Sequence, residues 1–172
     1  MSDDPRALIL TLRFDPATAE RLGALRRAYF PPTLNIVPAH LTLFHHLPGL
    51  ERGPVEAAVR RTASGLRPLP LIFSEARSLG RGVALGVASP DLVSLRAALA
   101  SRFAPWLTRQ DQQGFRPHVT IQNKVSPDEA RALHRSLSDG FAPWSGLGTG
   151  LLLWRYLNGP WALEAEAPFA EG

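Results

Sequence analysis

A histidine, an apolar residue, a threonine and a second apolar residue occur twice in this chain, as His40-Leu41-Thr42-Leu43 and as His118-Val119-Thr120-Ile121. Histidine titrates near neutrality, at about 6.5 when unperturbed, so one ring can take a proton while another gives one. In an extended strand the side chains alternate between faces, and residues two apart on one face are separated by roughly 6.6 Å. An imidazole and a hydroxyl at that spacing reach one phosphoryl group together, the nitrogen at a reacting oxygen and the hydroxyl at a nonbridging one. Two such strands facing each other across a cleft supply a base on one side and an acid on the other, as in-line displacement at phosphorus requires. His40 and His118 are therefore the candidate catalytic pair, with Thr42 and Thr120 as candidate phosphate-binding groups. This chemistry calls for no metal and no cofactor.

Strict alternation adds further candidates. Phe44 and His46 share the face of His40 and Thr42, and Lys124 shares that of His118 and Thr120. Phe44, His46 and Lys124 are thus candidate contacts to a base or to the rest of a substrate. Arg116, two residues before His118, is a candidate phosphate ligand through its planar fork of donors. His45 falls on the face opposite His46, and adjacent strand residues that diverge make a poor metal chelate. The four tryptophans, Trp106, Trp144, Trp154 and Trp161, read as core or rim residues, and His134 as a surface residue of a helix.

The elements that must position these residues follow from periodicity and caps. Ala7 to Arg13 reads as a strand. Asp15 to Ala28 reads as an amphipathic helix with Asp15 as cap and Pro16 behind it. The motif strand from His40 comes next, then a helix over GPVEAAVRRTASGL and a strand over LPLIFSEARSL. The order then restarts with a strand at Val83 to Ala88, a helix over SPDLVSLRAALASRF and the motif strand HVTIQNK. A helix capped at Ser126 and a hairpin turning at Asn158-Gly159 complete the chain. LGALRRA (Leu22 to Ala28) lies over LVSLRAA (Leu92 to Ala98) when the halves are aligned, and HLTL lies over HVTI. Two copies of one unit, about 7–80 and 83–168, form a single bilobal domain over 1–172.

Composition narrows the classes. A chain of 172 residues with 45% hydrophobic content is long enough to bury one core. The N-terminus is acidic before it is apolar, and the apolar run is too short for a membrane span or a secretory signal. With no cysteine there is neither a disulfide framework nor a thiolate metal site, so a cytoplasmic location is expected. Eighteen of the nineteen basic residues are arginines, Lys124 being the other, and the net charge is +4. That bias suits phosphate oxygens, while the lack of a basic run gives no nucleic-acid arm. Nothing in the chain calls for a protein partner, and a monomer is expected.

On the residues His40, Leu41, Thr42, Leu43 and His118, Val119, Thr120, Ile121, the chain resembles the 2H phosphoesterase superfamily. Within it, the similarity is to the RNA 2',3'-cyclic phosphodiesterase group, also described as 2'-5' RNA ligase-like. The resemblance implies an α+β fold of two pseudo-symmetric lobes, each an antiparallel sheet with helices packed outside, enclosing a central cleft. It implies hydrolysis of 2',3'-cyclic phosphate ends of RNA or nucleotides by His40 and His118, with phosphate held by Thr42 and Thr120 and with reversible 2'-5' ligation in some members. Two departures from the family pattern are His45, where an aromatic is common, and Asn123, where an arginine is common. A phosphate-binding module without turnover, and the same chemistry on a small non-RNA cyclic phosphodiester, are the alternative readings.

Overall fold

Three of the four helices begin in the same way, with a capping oxygen followed by proline. Asp15, Ser89 and Ser126 accept from the amides of Thr18, Leu92 and Glu129 at 3.2, 3.3 and 3.1 Å. Each is followed by a proline at the first helical position, where its missing N–H costs nothing. The computed structural model describes residues 3–171. Along the chain the elements are β1 (Leu8–Phe14), α1 (Pro16–Tyr29), β2 (Thr42–Leu47), α2 (Arg52–Ser64), β3 (Leu69–Ser78), β4 (Val83–Ala88), α3 (Pro90–Phe103), β5 (His118–Gln122), α4 (Pro127–Ser138), β6 (Trp144–Tyr156) and β7 (Trp161–Pro168).

All strand pairings are antiparallel, and the sheet runs β2-β1-β6-β3-β4-β5, with β7 on β6. It curls into a half-barrel with the helices outside, the two-lobed α+β architecture expected. The long strand β6 joins the lobes. One of its edges pairs with β1, while the other pairs first with β3 (Trp144 to Gly148) and then with β7 (Gly150 to Tyr156). One lobe is therefore β2-β1-β6-β7 and the other β6-β3-β4-β5.

From sequence the last hairpin starts near Gly150, but β6 begins six residues earlier, in the glycine-rich WSGLGTG. Close packing explains the composition. A Cβ on Gly146 would sit 2.7 Å from the Thr18 hydroxyl oxygen, and one on Gly148 2.8 Å from the Leu12 side chain. Glycine is what lets the strand run beneath α1 and β1 there.

The two faces of β1 show how the sheet divides core from site. Leu8, Leu10 and Leu12 are buried in the core with Leu22 of α1, Val55 and Val59 of α2, and Leu92, Leu95 and Leu99 of α3. Ile9, between them, and Ala7, just before the strand, line a cavity on the other side. Among the described residues, no helix is long and apolar enough to cross a membrane.

Candidate active site

Each motif histidine enters the cleft held in the same way. The Nδ1 of His40 lies 2.8 Å from the carbonyl oxygen of Pro38, and that of His118 lies 2.9 Å from the carbonyl of Arg116. A carbonyl only accepts, so in both rings Nδ1 carries the hydrogen and Nε2 is the nitrogen left for chemistry. Both bonds run to the residue two positions earlier. Leu41 and Val119, wholly buried, anchor the backbone between histidine and threonine on the core side. With the next residue pinned in the core, the backbone at each histidine is fixed, and the carbonyl bond then sets the orientation of the ring.

His40, Thr42, His118 and Thr120 line one cavity of about 350 Å³, together with His45, His46, Tyr156, Trp161, Ala7 and Ile9. The structure thus brings together both histidines and both threonines of the repeated motif. Trp161 packs against His40 with ring centroids 4.7 Å apart and planes tilted by 54°. Desolvation in the cleft lowers the His40 pKa to about 4; the Pro38 carbonyl opposes the shift, and the nearby charges of Arg26, His118 and His45 add to it. At neutral pH the His40 ring is therefore uncharged and its Nε2 is free to accept a proton.

The alternation expected along β2 fails after Thr42. Leu8, Leu10 and Thr11 of β1 stand opposite Leu47, Phe44 and Thr42, so a three-residue step on β1 is matched by a five-residue step on β2. Such bulges rotate the side chains that follow them. Phe44, expected on the cleft face, is instead fully buried, edge-on to Phe103 at 5.3 Å and covered by the Arg96 guanidinium at 4.2 Å. It has no free face on which a base could stack. His45, expected to point away, lines the cavity beside His46.

Asp111 holds this bulge in place. Its carboxylate accepts from the His45 amide at 2.9 Å, from the His46 amide at 3.0 Å and from His45 Nδ1 at 3.0 Å, with its side chain 1% exposed. Burial alone would raise its pKa, but these three donors outweigh that and hold the carboxyl below its ordinary range. Asp111 fills the edge of β2 where two successive amides point outward. Sequence reasoning missed it, because a lone acid in the irregular QDQQG carries no pattern.

A matching bulge lies on β5. Val83 and Ala84 pair with Gln122 and Thr120, which leaves Ile121 as the extra residue, and Gln122 turns inward with its Oε1 buried and unpartnered. The strand ends there. Lys124, expected at its far end on the cleft face, is an exposed turn residue with φ of 60° and does not line the cavity. Arg116 is exposed and lies beside the His118 wall of a neighbouring cavity rather than in this one.

Two arginines missing from the sequence-derived set complete the surroundings. Arg26 of α1 is 4% exposed and donates to the Thr120 carbonyl at 3.0 Å and to Asn35 Oδ1 at 3.1 Å. Arg96 of α3 donates to the Leu43 carbonyl at 3.1 Å and to the Asp111 carbonyl at 2.6 Å. The signal for them was in the sequence, since the alignment of LGALRRA with LVSLRAA places Arg26 over Arg96.

The family model described as the 2'-5' RNA ligase superfamily matches residues 14–160. The chain belongs to this superfamily, a branch of the 2H phosphoesterases. No curated protein matches it by sequence. Among solved structures, TT0787 of Thermus thermophilus is similar at a TM-score of 0.68 and 16% identity, over 95% of this chain and 97% of that one. E. coli LigT complexed with phosphate is similar at 0.64 and 20%, over 98% and 99%. LigT complexed with 3'-AMP is similar at 0.64 and 22%, over 97% and 99%. At these identities the structural likeness establishes the fold of the 2'-5' RNA ligase superfamily, and the activity must be argued from the site.

Proposed function

We propose that the protein is a metal-independent phosphoesterase that opens 2',3'-cyclic phosphates on RNA ends or nucleotides by two-histidine acid/base catalysis. One observation carries the reading: two imidazoles, each with Nδ1 tied to the carbonyl two residues back, present Nε2 to one cavity alongside two threonine hydroxyls. His40 is the base, because desolvation keeps its ring neutral. The oxygen of water attacks phosphorus, its proton passes to His40 Nε2, and the bond from phosphorus to O3' breaks. His118 Nε2 gives its proton to O3', which leaves a 2'-phosphate and a 3'-hydroxyl. Thr42 and Thr120 donate to the nonbridging oxygens as negative charge gathers on them.

When a 5'-hydroxyl attacks in place of water, the same transfers form a 2'-5' phosphodiester, and run backwards they cleave it. Ligand precedent within the superfamily supports a nucleotide or RNA partner, since LigT has been seen with phosphate and with 3'-AMP. All the residues used come from one chain, so a monomer is sufficient.

The deciding experiment is ³¹P NMR of 2',3'-cyclic AMP incubated with the protein in excess chelator. A single 2'-phosphate product is expected. Loss of turnover in chelator, restored by a divalent ion, overturns the mechanism. Binding without turnover in either condition assigns the cleft to a nucleotide-binding module instead.

A further inference from the structure

Beside the catalytic cavity lies a second one of about 410 Å³, and the two share Thr42, His45 and His118 as a common wall. Its far side is formed by Arg77 of β3, Arg116, Phe115, Gln110 and Gln113. The motif chemistry leaves this space unused.

The arginines here have donors to spare. Arg77 Nε is buried without a hydrogen-bond partner. Its two remaining contacts are long, 3.4 Å from Nη1 to the Arg116 carbonyl and 3.4 Å from Nη2 to Glu75 Oε1. Glu75 is 59% exposed on its side chain, so water screens it as a competitor. The other nearby carboxylate, Asp111, is already committed to His45 and His46. Arg96 is also committed, to the carbonyls of Leu43 and Asp111. The Arg77 guanidinium, 21% exposed and held only by long contacts, lines a cavity whose other wall holds a catalytic histidine, and fits an anion with several acceptor oxygens.

We infer that this second cavity binds the phosphate on the 5' side of the terminal ribose, and that the protein acts on RNA chain ends in preference to isolated cyclic mononucleosides. The inference rests on the cyclic-phosphate reading above. Along a single strand the next phosphate is one nucleotide from the reacting one, and the cavities adjoin across one residue wall. Arg77 supplies the fork and Arg116 a second cation. Phe115 adds an aromatic surface beside them.

The test compares kcat/KM for three substrates that end in the same cyclic phosphate: a nucleoside 2',3'-cyclic phosphate, its 5'-phosphorylated form, and the dinucleotide. The wild-type protein should favour the dinucleotide over the bare nucleoside by about tenfold or more. Arg77→Gln should remove most of that ratio, and Arg77→Lys should restore only part of it because the fork is lost. The ratio is the readout, so any disturbance of His118 through the Arg116 carbonyl, which slows all three equally, cancels. An equal fall on every substrate, or an unchanged ratio, overturns the subsite. A gain for the 5'-phosphorylated nucleoside without one for the dinucleotide assigns it to free nucleotides and rejects the RNA end.

If none of the three is turned over, the failure belongs to the proposed activity, and the subsite is then judged by binding. Calorimetry with adenosine 3',5'-bisphosphate against 3'-AMP should show a preference that Arg77→Gln abolishes. No preference in the wild-type protein overturns the subsite independently.

Discussion

Arg26 and Arg96 occupy matching positions on α1 and α3, and each ties its helix to the backbone of a motif strand, Arg26 to β5 and Arg96 to β2. The carbonyls they bind belong to Thr120 and Leu43, beside the bulges that shape β5 and β2. Removing either guanidinium takes a charged donor from that carbonyl and loosens a motif strand. Arg26→Met and Arg96→Met should each lower stability by about 1.5–3 kcal/mol, read as a shift in the urea midpoint at constant slope. They should lower kcat more than they raise KM, because they act on the placement of the histidines and touch no substrate.

His40 sets the acid behaviour. Its folded pKa of about 4 lies below the usual imidazole value, so the unfolded chain takes up a proton near 6.5 that the folded protein refuses until about 4. The stability this contributes is full above pH 6.5 and is lost as pH falls from there towards 4. The neutral base persists over the same range, so the acid limb of kcat/KM due to His40 should fall near pH 4. An NMR titration of the ring in the free protein checks this directly, and a midpoint near 6.5 would remove His40 as the permanently neutral base.

Asp111 is predicted to act through the bulge. Asp111→Asn replaces an anion that accepts three hydrogen bonds with an amide that accepts fewer, and should cost about 2 kcal/mol or more at pH 7. The carboxyl is held below its ordinary range, so its contribution is present above about pH 4 and disappears as pH falls through the folded value. The difference in urea midpoint between wild type and variant should therefore shrink between pH 7 and pH 3.

Trp161 covers the His40 ring and helps keep it dry. Trp161→Ala should raise the His40 pKa towards 6.5 and weaken nucleotide binding by about tenfold, since stacking on an aromatic contributes roughly 1–3 kcal/mol per base. The two readouts, NMR titration and KM, should move together. A change in KM alone would separate base binding from control of the ring.

The order of strands and helices was legible because each signal was local: caps at Asp15 and Ser126, the Asn158-Gly159 turn, and apolar periodicity in between. The histidine and threonine pairs were legible for the same reason, as a pattern that repeats. What the sequence concealed depends on contacts between distant residues. Phe44 and His45 exchanged their expected places because Asp111, far along the chain, captures two consecutive amides and breaks the pleat. The start of β6 was hidden because Gly146 and Gly148 suggest a loop unless one knows that α1 and β1 press against them. Lys124 was projected along a strand that in fact stops at Gln122.

The motif strands β2 and β5 stand at the two extremes of the sheet order, and both border the same cavity. The cavity is thus the unsealed seam of an incomplete barrel, left where main-chain ladder bonds would otherwise have closed it. Because β6 is laced into both halves, the two lobes cannot part at this strand without breaking backbone pairing, so the ladder itself sets how far apart the walls of the seam stand.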